Sequence, residues 1–288
     1  MKTLITGATG QLGSLVLDHL LTRLSATEIA VSVRTPAKAD AIAAKGVEVR
    51  HGDFDDLALM TKAFAGVETA LIISAEADNA TRIAQHRTAV DAAKAAGVKH
   101  VIYTSIVDPR VDADFTYSAI HLDTENYIKQ SGLKYTLLRN SFYADLLMAG
   151  VPHALETGDF GAPAGDAKIT YVTRNDLAEA AAIVLANPAA HENAVYELTG
   201  AKAVTHAEIA GYIADATGKP VKFADLPADV HVGILNSIGL PGHLVEALAG
   251  LYVGAKKGDY AVVSNDLEKI LGRPSQSVED FLTKALAA

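Results

Sequence analysis

The chain contains no cysteine. That excludes disulfides, thiolate nucleophiles, zinc ribbons and iron–sulfur clusters. It also has no apolar run near the ~20 residues needed to span a bilayer, and a core strand begins where a secretory leader would stand, so a cytoplasmic protein with no membrane partner is expected. Positive charge is scarce: 25 Lys and Arg against 34 Asp and Glu leave a net charge of -9. Nucleic acid is not an expected partner of so acidic a chain, because its phosphate backbone demands a basic surface. Two catalytic signatures are missing as well. No Gly-x-Ser-x-Gly elbow points to a hydrolase. The ten histidines form no His-Glu-x-x-His pattern, and His121 and Glu125, one helical turn apart, have no third ligand placed by sequence, so no metal site is expected. The 288 residues, half of them hydrophobic, carry no repeat and no low-complexity linker, and they suffice for a large core.

What is present begins with TGATGQLG, Thr6 to Gly13. A short β-prone run, Thr3-Leu4-Ile5, precedes it, and Leu12, Leu15, Val16 and Leu20 follow at helical spacing, so the glycines occupy a strand-to-helix turn. One glycine permits a sharp turn with φ > 0, a second lets backbone N–H groups approach a pyrophosphate, and a third allows helix and sheet to pack closely. Gly7, Gly10 and Gly13 are those residues, in a GxxGxxG spacing. The phosphates would face the positive end of the helix, so a dinucleotide is expected here.

The second strand, with Ile29, Val31 and Val33 alternating, ends at Arg34, about 20 residues beyond the glycines, where an acid would accept from a ribose 2′-hydroxyl. A guanidinium instead pairs with a 2′-phosphate. The expected cofactor is therefore NADP, with NADPH preferred over NADH. Lys38 either adds a second positive charge or is a solvated surface lysine. The turn His51-Gly52-Asp53-Phe54 after the third strand lies beside the adenine in a doubly wound sheet; Asp53 either accepts from the adenine amine or caps the helix that starts near Asp55 to Leu57.

Strands at Ala70–Ser74, His100–Ser105 and Lys134–Arg139 alternate with helices, the middle one running from about Ser118 to Ser131. The expected fold is α/β: a Rossmann-like doubly wound parallel sheet with a smaller, mainly helical C-terminal substrate lobe. Residues 1–140 would form the NADP-binding domain, with 167–200 returning to it, and residues 141–288 the lobe. In that lobe Asn175 or Asp176 is expected to cap a helix through Ala186, and Thr205-His206-Ala207-Glu208 reads as a capping box.

Seven segments, ITGATGQLG (Ile5 to Gly13), VRTPAK (Val33 to Lys38), HGDF (His51 to Phe54), AAKAAGVKH (Ala92 to His100), HLDTE (His121 to Glu125), YTLLRN (Tyr135 to Asn140) and VTRND (Val172 to Asp176), resemble in order the atypical short-chain dehydrogenase/reductases called NmrA-like. Within these the chain is most similar to type 2 NADPH-dependent quinone oxidoreductases and triphenylmethane reductases. The resemblance implies nucleotide contacts at Gly7, Thr9, Gly10, Gln11, Leu12, Arg34 and Asp53, with Ser74 and Ala75 under the ribose and pyrophosphate. Tyr103, Thr104, Asn140 and Tyr143 would flank the nicotinamide and the substrate opening.

Many short-chain dehydrogenases exchange a proton through a Tyr-x-x-x-Lys pair. Here Tyr117 stands four residues before His121, which supplies no lysine-like field, so the pair is either a proton-exchanging couple or a structural one. An isolated ketone needs an acid; a quinone yields a weakly basic hydroquinone anion that takes its proton from water, and a triphenylmethane cation needs none. The expected activity is thus hydride transfer to a flat electrophile, most simply an aromatic or quinone small molecule, with alignment as most of the catalysis. Phe142 and Tyr143 form either one wall of the slot or ordinary core. The competing reading is a non-enzymatic NmrA-like regulator that senses NADP(H). A homodimer stays open.

Overall fold

The computed structural model describes residues 2–287. They fall into two compact units, the first of residues 2–109, 120–139 and 175–196, the second of residues 110–119, 140–174 and 197–287. Strands in chain order are β1 (Thr3–Thr6), β2 (Ile29–Val33), β3 (Glu48–His51), β4 (Thr69–Ile72), β5 (His100–Ile106), β6 (Lys134–Asn140), β7 (Asp159–Ala162), β8 (Lys168–Ile169), β9 (Ala194–Leu198), β10 (Val204–Thr205) and β11 (Lys222–Asp225).

A seven-stranded sheet has the order β3-β2-β1-β4-β5-β6-β9, and its neighbours from β3 to β5 are parallel. β1, β2, β4 and β5 are buried along their whole length, which is why apolar residues dominate them on both faces: a parallel sheet is covered by helices on either side. β3, at the edge, is exposed at both ends and half-buried between, and Glu48 there pairs with Lys2 and Arg50, charges that discourage further strand addition. The order reverses between β1 and β4. In an open parallel sheet a ligand lies at that reversal, outside the carboxyl ends of the strands, and the glycine turn leaves β1 at that spot.

The helix Gln11–Leu21 that follows is tied to the helix Arg174–Ala186 by His19–Asn175 (3.0 Å) and Arg23–Glu179 (3.0 Å). That second helix starts at Arg174, so neither Asn175 nor Asp176 is its cap. Asn175 spends its side chain on His19, and Asp176 is buried in the first turn, where the helix dipole favours an acid.

The second unit is mainly helical, with small ribbons: β7 pairs with β11 in parallel and β8 with β10 antiparallel. The capping box at Thr205 and Glu208 is present and opens the helix His206–Thr217. Segment Arg110–Ala119 belongs to this unit, a return that a division at residue 140 does not contain. It lies against the helix Gly242–Lys257 so closely that a Cβ at Gly250 would stand 1.9 Å from the Asp114 carbonyl oxygen, and Lys257–Asp114 and Arg110–Asp259 ion pairs (both 2.7 Å) fix it.

Within the first unit, one buried ionic cluster holds residues 120–130 of the helix Tyr117–Gln130 to the sheet. The Glu125 side chain is 0% exposed; Arg139 grips it with two 2.8 Å bonds, and the Ser105 hydroxyl donates to it at 2.7 Å. Burial pushes the Glu125 carboxyl up, but those hydrogen bonds and the Arg139 charge outweigh it and hold it below the ordinary carboxylate value. Glu125→Ala removes the buried carboxylate that Arg139 grips and is expected to cost about 3 kcal/mol in urea unfolding. The same depressed acidity means the cluster stabilises fully above the unfolded carboxyl value, about pH 4.3, and that its contribution fades as pH falls through the lower folded value. A Glu125→Ala protein should therefore lose less stability than the parent on acidification.

Candidate active site

Gly7 leaves β1 with φ +65, a conformation that costs a side chain dearly. The Gly10 N–H donates to the Gly7 carbonyl at 3.0 Å. Gly10 then serves as N-cap of the helix Gln11–Leu21 without any side-chain cap, and the first turn carries no acid, so the positive helix end is bare. At Gly13 a Cβ would lie 2.2 Å from the Gly7 carbonyl oxygen: this glycine is what lets the helix sit against the turn. Gly7, Thr9, Gly10 and Gln11 are exposed, whereas Leu12 and Gly13 are buried. The Leu12 side chain is an anchor in the core, leaving its main chain as the part a ligand could meet.

Arg34 and Lys38, expected at the phosphate end, are both exposed. Among the described residues neither side chain has an ion-pair or hydrogen-bond partner, although Lys2, Arg23, Lys45 and Arg50 in the same unit all do. The Asp53 alternatives are separated by geometry. Asp56 is the helix cap, accepting from the Leu59 N–H at 2.9 Å, and Asp53 turns the chain by accepting from the Asp55 N–H at 3.1 Å. Asp53 is thus not the cap. Phe54 packs on the core cluster beneath the sheet.

At the carboxyl ends of β4 and β5 the expected residues are joined in a way their positions in sequence do not suggest. The Ser74 N–H donates to the Thr104 hydroxyl at 2.9 Å. The Ala75 N–H donates to His86 Nε2 at 3.0 Å, and Arg82 donates to the Ser74 hydroxyl at 2.7 Å. His86 Nδ1 lies 2.9 Å from the Thr124 hydroxyl and 3.3 Å from that of Tyr103. The Tyr103 hydroxyl is in turn 2.8 Å from His121 Nδ1. Tyr103 is 0% exposed, so its side chain is packed inside this network, and Thr104 is nearly as deep.

Burial, reinforced by the Arg82 charge, lowers His86 to about 3 and holds His121 well below the usual histidine value. Burial also raises the Tyr103 phenol. All three rings are uncharged at neutral pH. Arg82 and His86 escaped the sequence reading, yet a signal exists: they lie with Gln85 and Ala89 on the buried stripe of the helix Asn79–Ala95, where a polar residue needs an internal partner.

The remaining expected residues lie in the second unit. Tyr117 is buried edge-on against Phe115 (5.4 Å between centroids), and Phe115, Phe142 and Tyr260 continue the cluster at 5.3 and 4.9 Å. Tyr117 is a buried aromatic and Phe142 a half-buried one, while His121 Nδ1 is engaged by Tyr103. Tyr143 lies under the Arg174 guanidinium at 4.8 Å. Asn140 is buried with its side-chain carbonyl oxygen unpartnered, a state that costs about 1–3 kcal/mol until a donor arrives. Among the described residues no group of three or more His, Asp or Glu is arranged to hold a metal.

The chain is similar to quinone oxidoreductase 2 of Escherichia coli K12, 42% identical over 279 residues that make up 97% of this chain and 96% of that one. The crystal structure of the E. coli NADPH-dependent quinone oxidoreductase complexed with NADPH superposes with a TM-score of 0.92 at 41% identity, covering 98% and 99% of the two chains. That of the Citrobacter sp. triphenylmethane reductase complexed with NADP(H) does so with a TM-score of 0.93 at 36% identity, covering 99% and 100%. With the NmrA-like family model matching residues 1–281 as well, the chain belongs to the NmrA-like family.

Proposed function

We propose that this protein is an NADPH-dependent oxidoreductase whose acceptor is a flat electrophile, a quinone. The observation that carries the reading is the uncommitted cation pair Arg34 and Lys38 at the end of β2, beside a bare helix N-terminus, in a chain similar to two NADP(H)-complexed reductases. NADPH, when bound, supplies the hydride. The main-chain N–H groups from Thr9 to Gly13 hold the pyrophosphate, Arg34 and Lys38 the 2′-phosphate. Asp53 accepts from the adenine amine, and Ser74 and Ala75 support the ribose.

The activity asks little acid–base chemistry of the chain. Its tasks are to align two flat rings and exclude water. The test is consumption of NADPH with and without 1,4-naphthoquinone. Steady oxidation that depends on the quinone is expected; saturable NADPH binding with no turnover across a panel of quinones and triphenylmethane dyes would return the protein to the sensor class.

A further inference from the structure

We propose that His121 is a catalytic hydrogen-bond donor that works uncharged, with its Nε2–H bonding the acceptor oxygen on which negative charge develops. The inference rests on the quinone reductase reading above. It is built on the bonds that surround the ring. His86 Nε2 receives the Ala75 N–H at 3.0 Å, so its ring proton must be on Nδ1, from which it reaches the Thr124 hydroxyl at 2.9 Å. Thr124 passes its own hydrogen to the Ile120 carbonyl at 3.0 Å. The Tyr103 hydroxyl, 3.3 Å from the His86 Nδ1–H, is left free to donate to His121 Nδ1 at 2.8 Å. His121 is thereby fixed as the Nε2–H tautomer, since one ring nitrogen's bond decides the state of the other. Tyr103 and His86 act through His121 and are positioning residues.

Location singles out that Nε2–H. His121 has no bond at Nε2 among the described residues, and this nitrogen is absent from the unpartnered polar atoms that the fold seals from water; every other nitrogen of the two histidine rings is engaged. The network is level with the carboxyl edge of the sheet, because Tyr103 immediately precedes Thr104, which takes the Ser74 N–H just past β4. That edge, next to the β1–β4 reversal, is where a parallel sheet receives its ligand. The groups facing the two rings are Arg82, Ser74, Tyr103 and Thr124; Glu125, one turn on from His121, is committed to Arg139 and Ser105.

In the step, a quinone that takes up hydride gains both electrons of that bond and becomes a hydroquinone monoanion with its charge on oxygen. The His121 Nε2–H bonds this oxygen while the charge develops and keeps its proton, and water supplies the second hydrogen of the hydroquinone, leaving hydroxide. A buried neutral donor aimed at developing charge is worth about 100-fold in rate. Its advantage over a protonated imidazole is constancy: burial holds this ring well below the usual histidine value, on the uncharged side.

Four measurements test the proposal. His121→Leu is expected to lower kcat about 100-fold with 1,4-naphthoquinone while NADPH affinity stays within a few-fold, and Tyr103→Phe, which frees the ring to take either tautomer, to lower kcat about 10-fold. Nitrogen-15 spectra of the unaltered protein should show His121 with a bare Nδ1 and a protonated Nε2 from about pH 5 to pH 9, and the Nε2–H resonance should move when 1,4-naphthoquinone joins the NADP+-loaded protein, a mixture that cannot turn over. A ring that titrates in that interval, a proton found on Nδ1, a silent Nε2–H or an undiminished rate in His121→Leu overturns the inference. Absence of any quinone-dependent NADPH oxidation by the parent protein overturns the function it rests on, so the two failures are distinguishable; the spectra need no variant to fold.

Discussion

Arg34→Asp is expected to invert the nucleotide preference: NADPH affinity falls about 100-fold or more, while NADH affinity holds or improves. The size follows from two terms. A charge-assisted hydrogen bond between guanidinium and 2′-phosphate is worth about 1.5–3 kcal/mol, and a carboxylate in its place faces a dianion with nothing but the Lys38 charge to offset it. Because 1.4 kcal/mol is a factor of ten, the lost bond alone covers about one to two decades and the repulsion extends it. NADH has no 2′-phosphate; its free hydroxyl can donate to the new carboxylate, as in dinucleotide folds that carry an acid at this position. Lys38→Ala should cost far less, a few-fold, since Lys38 is exposed and its contribution is screened by salt. Fluorescence titration with both nucleotides at two salt concentrations reads all of this, and equal losses for NADPH and NADH would remove Arg34 from the phosphate.

The place of Arg34 at the end of β2 is legible in the sequence because everything that sets it is local: a buried, largely apolar β-strand and a distance from the glycines set by one helix. The same holds for the six strands of the first half and for the Thr205–Glu208 capping box, whose signals are period and short-range hydrogen bonding. Legibility stopped where tertiary contacts decide. β7, with Gly161 and Ala162, has little strand propensity, and β8 and β10, two residues each, are too short to show a period; each exists because it finds a partner across the unit. Tyr117 and His121 stand four apart on one helix and invite pairing, yet the ring bonds to Tyr103 on the neighbouring strand while Tyr117 joins Phe115 and Phe142. The Asp53 question turned on a three-residue difference in where a helix begins, which places Asp56 and not Asp53 within reach of the Leu59 N–H.

The glycine turn allows a sharper experiment than a loss of function, because its glycines are needed for different reasons. Gly13→Val is expected to destabilise the protein by about 3 kcal/mol and abolish nucleotide binding. Its first added carbon would stand 2.2 Å from the Gly7 carbonyl oxygen, 2.8 Å from the Gly7 carbonyl carbon and 2.9 Å from the Ala8 Cα. All three are backbone atoms that no rotamer change can move, so the helix must lift off the turn that it buries with Leu12, Val16 and Leu20. Gly10→Ala differs: its Cβ meets only the Gly7 oxygen, at 3.2 Å, on an exposed surface, so stability should change by less than about 1 kcal/mol. If the bare helix end is where a pyrophosphate approaches, that one methyl group nevertheless stands in its way, and NADPH affinity should fall about 100-fold in a protein that melts like the parent. Thermal melting and NADPH titration of the two variants therefore separate packing from recognition. A Gly10→Ala protein that binds NADPH as well as the parent would show that the glycines serve the fold alone, and the cation pair at Arg34 and Lys38 would then need another ligand.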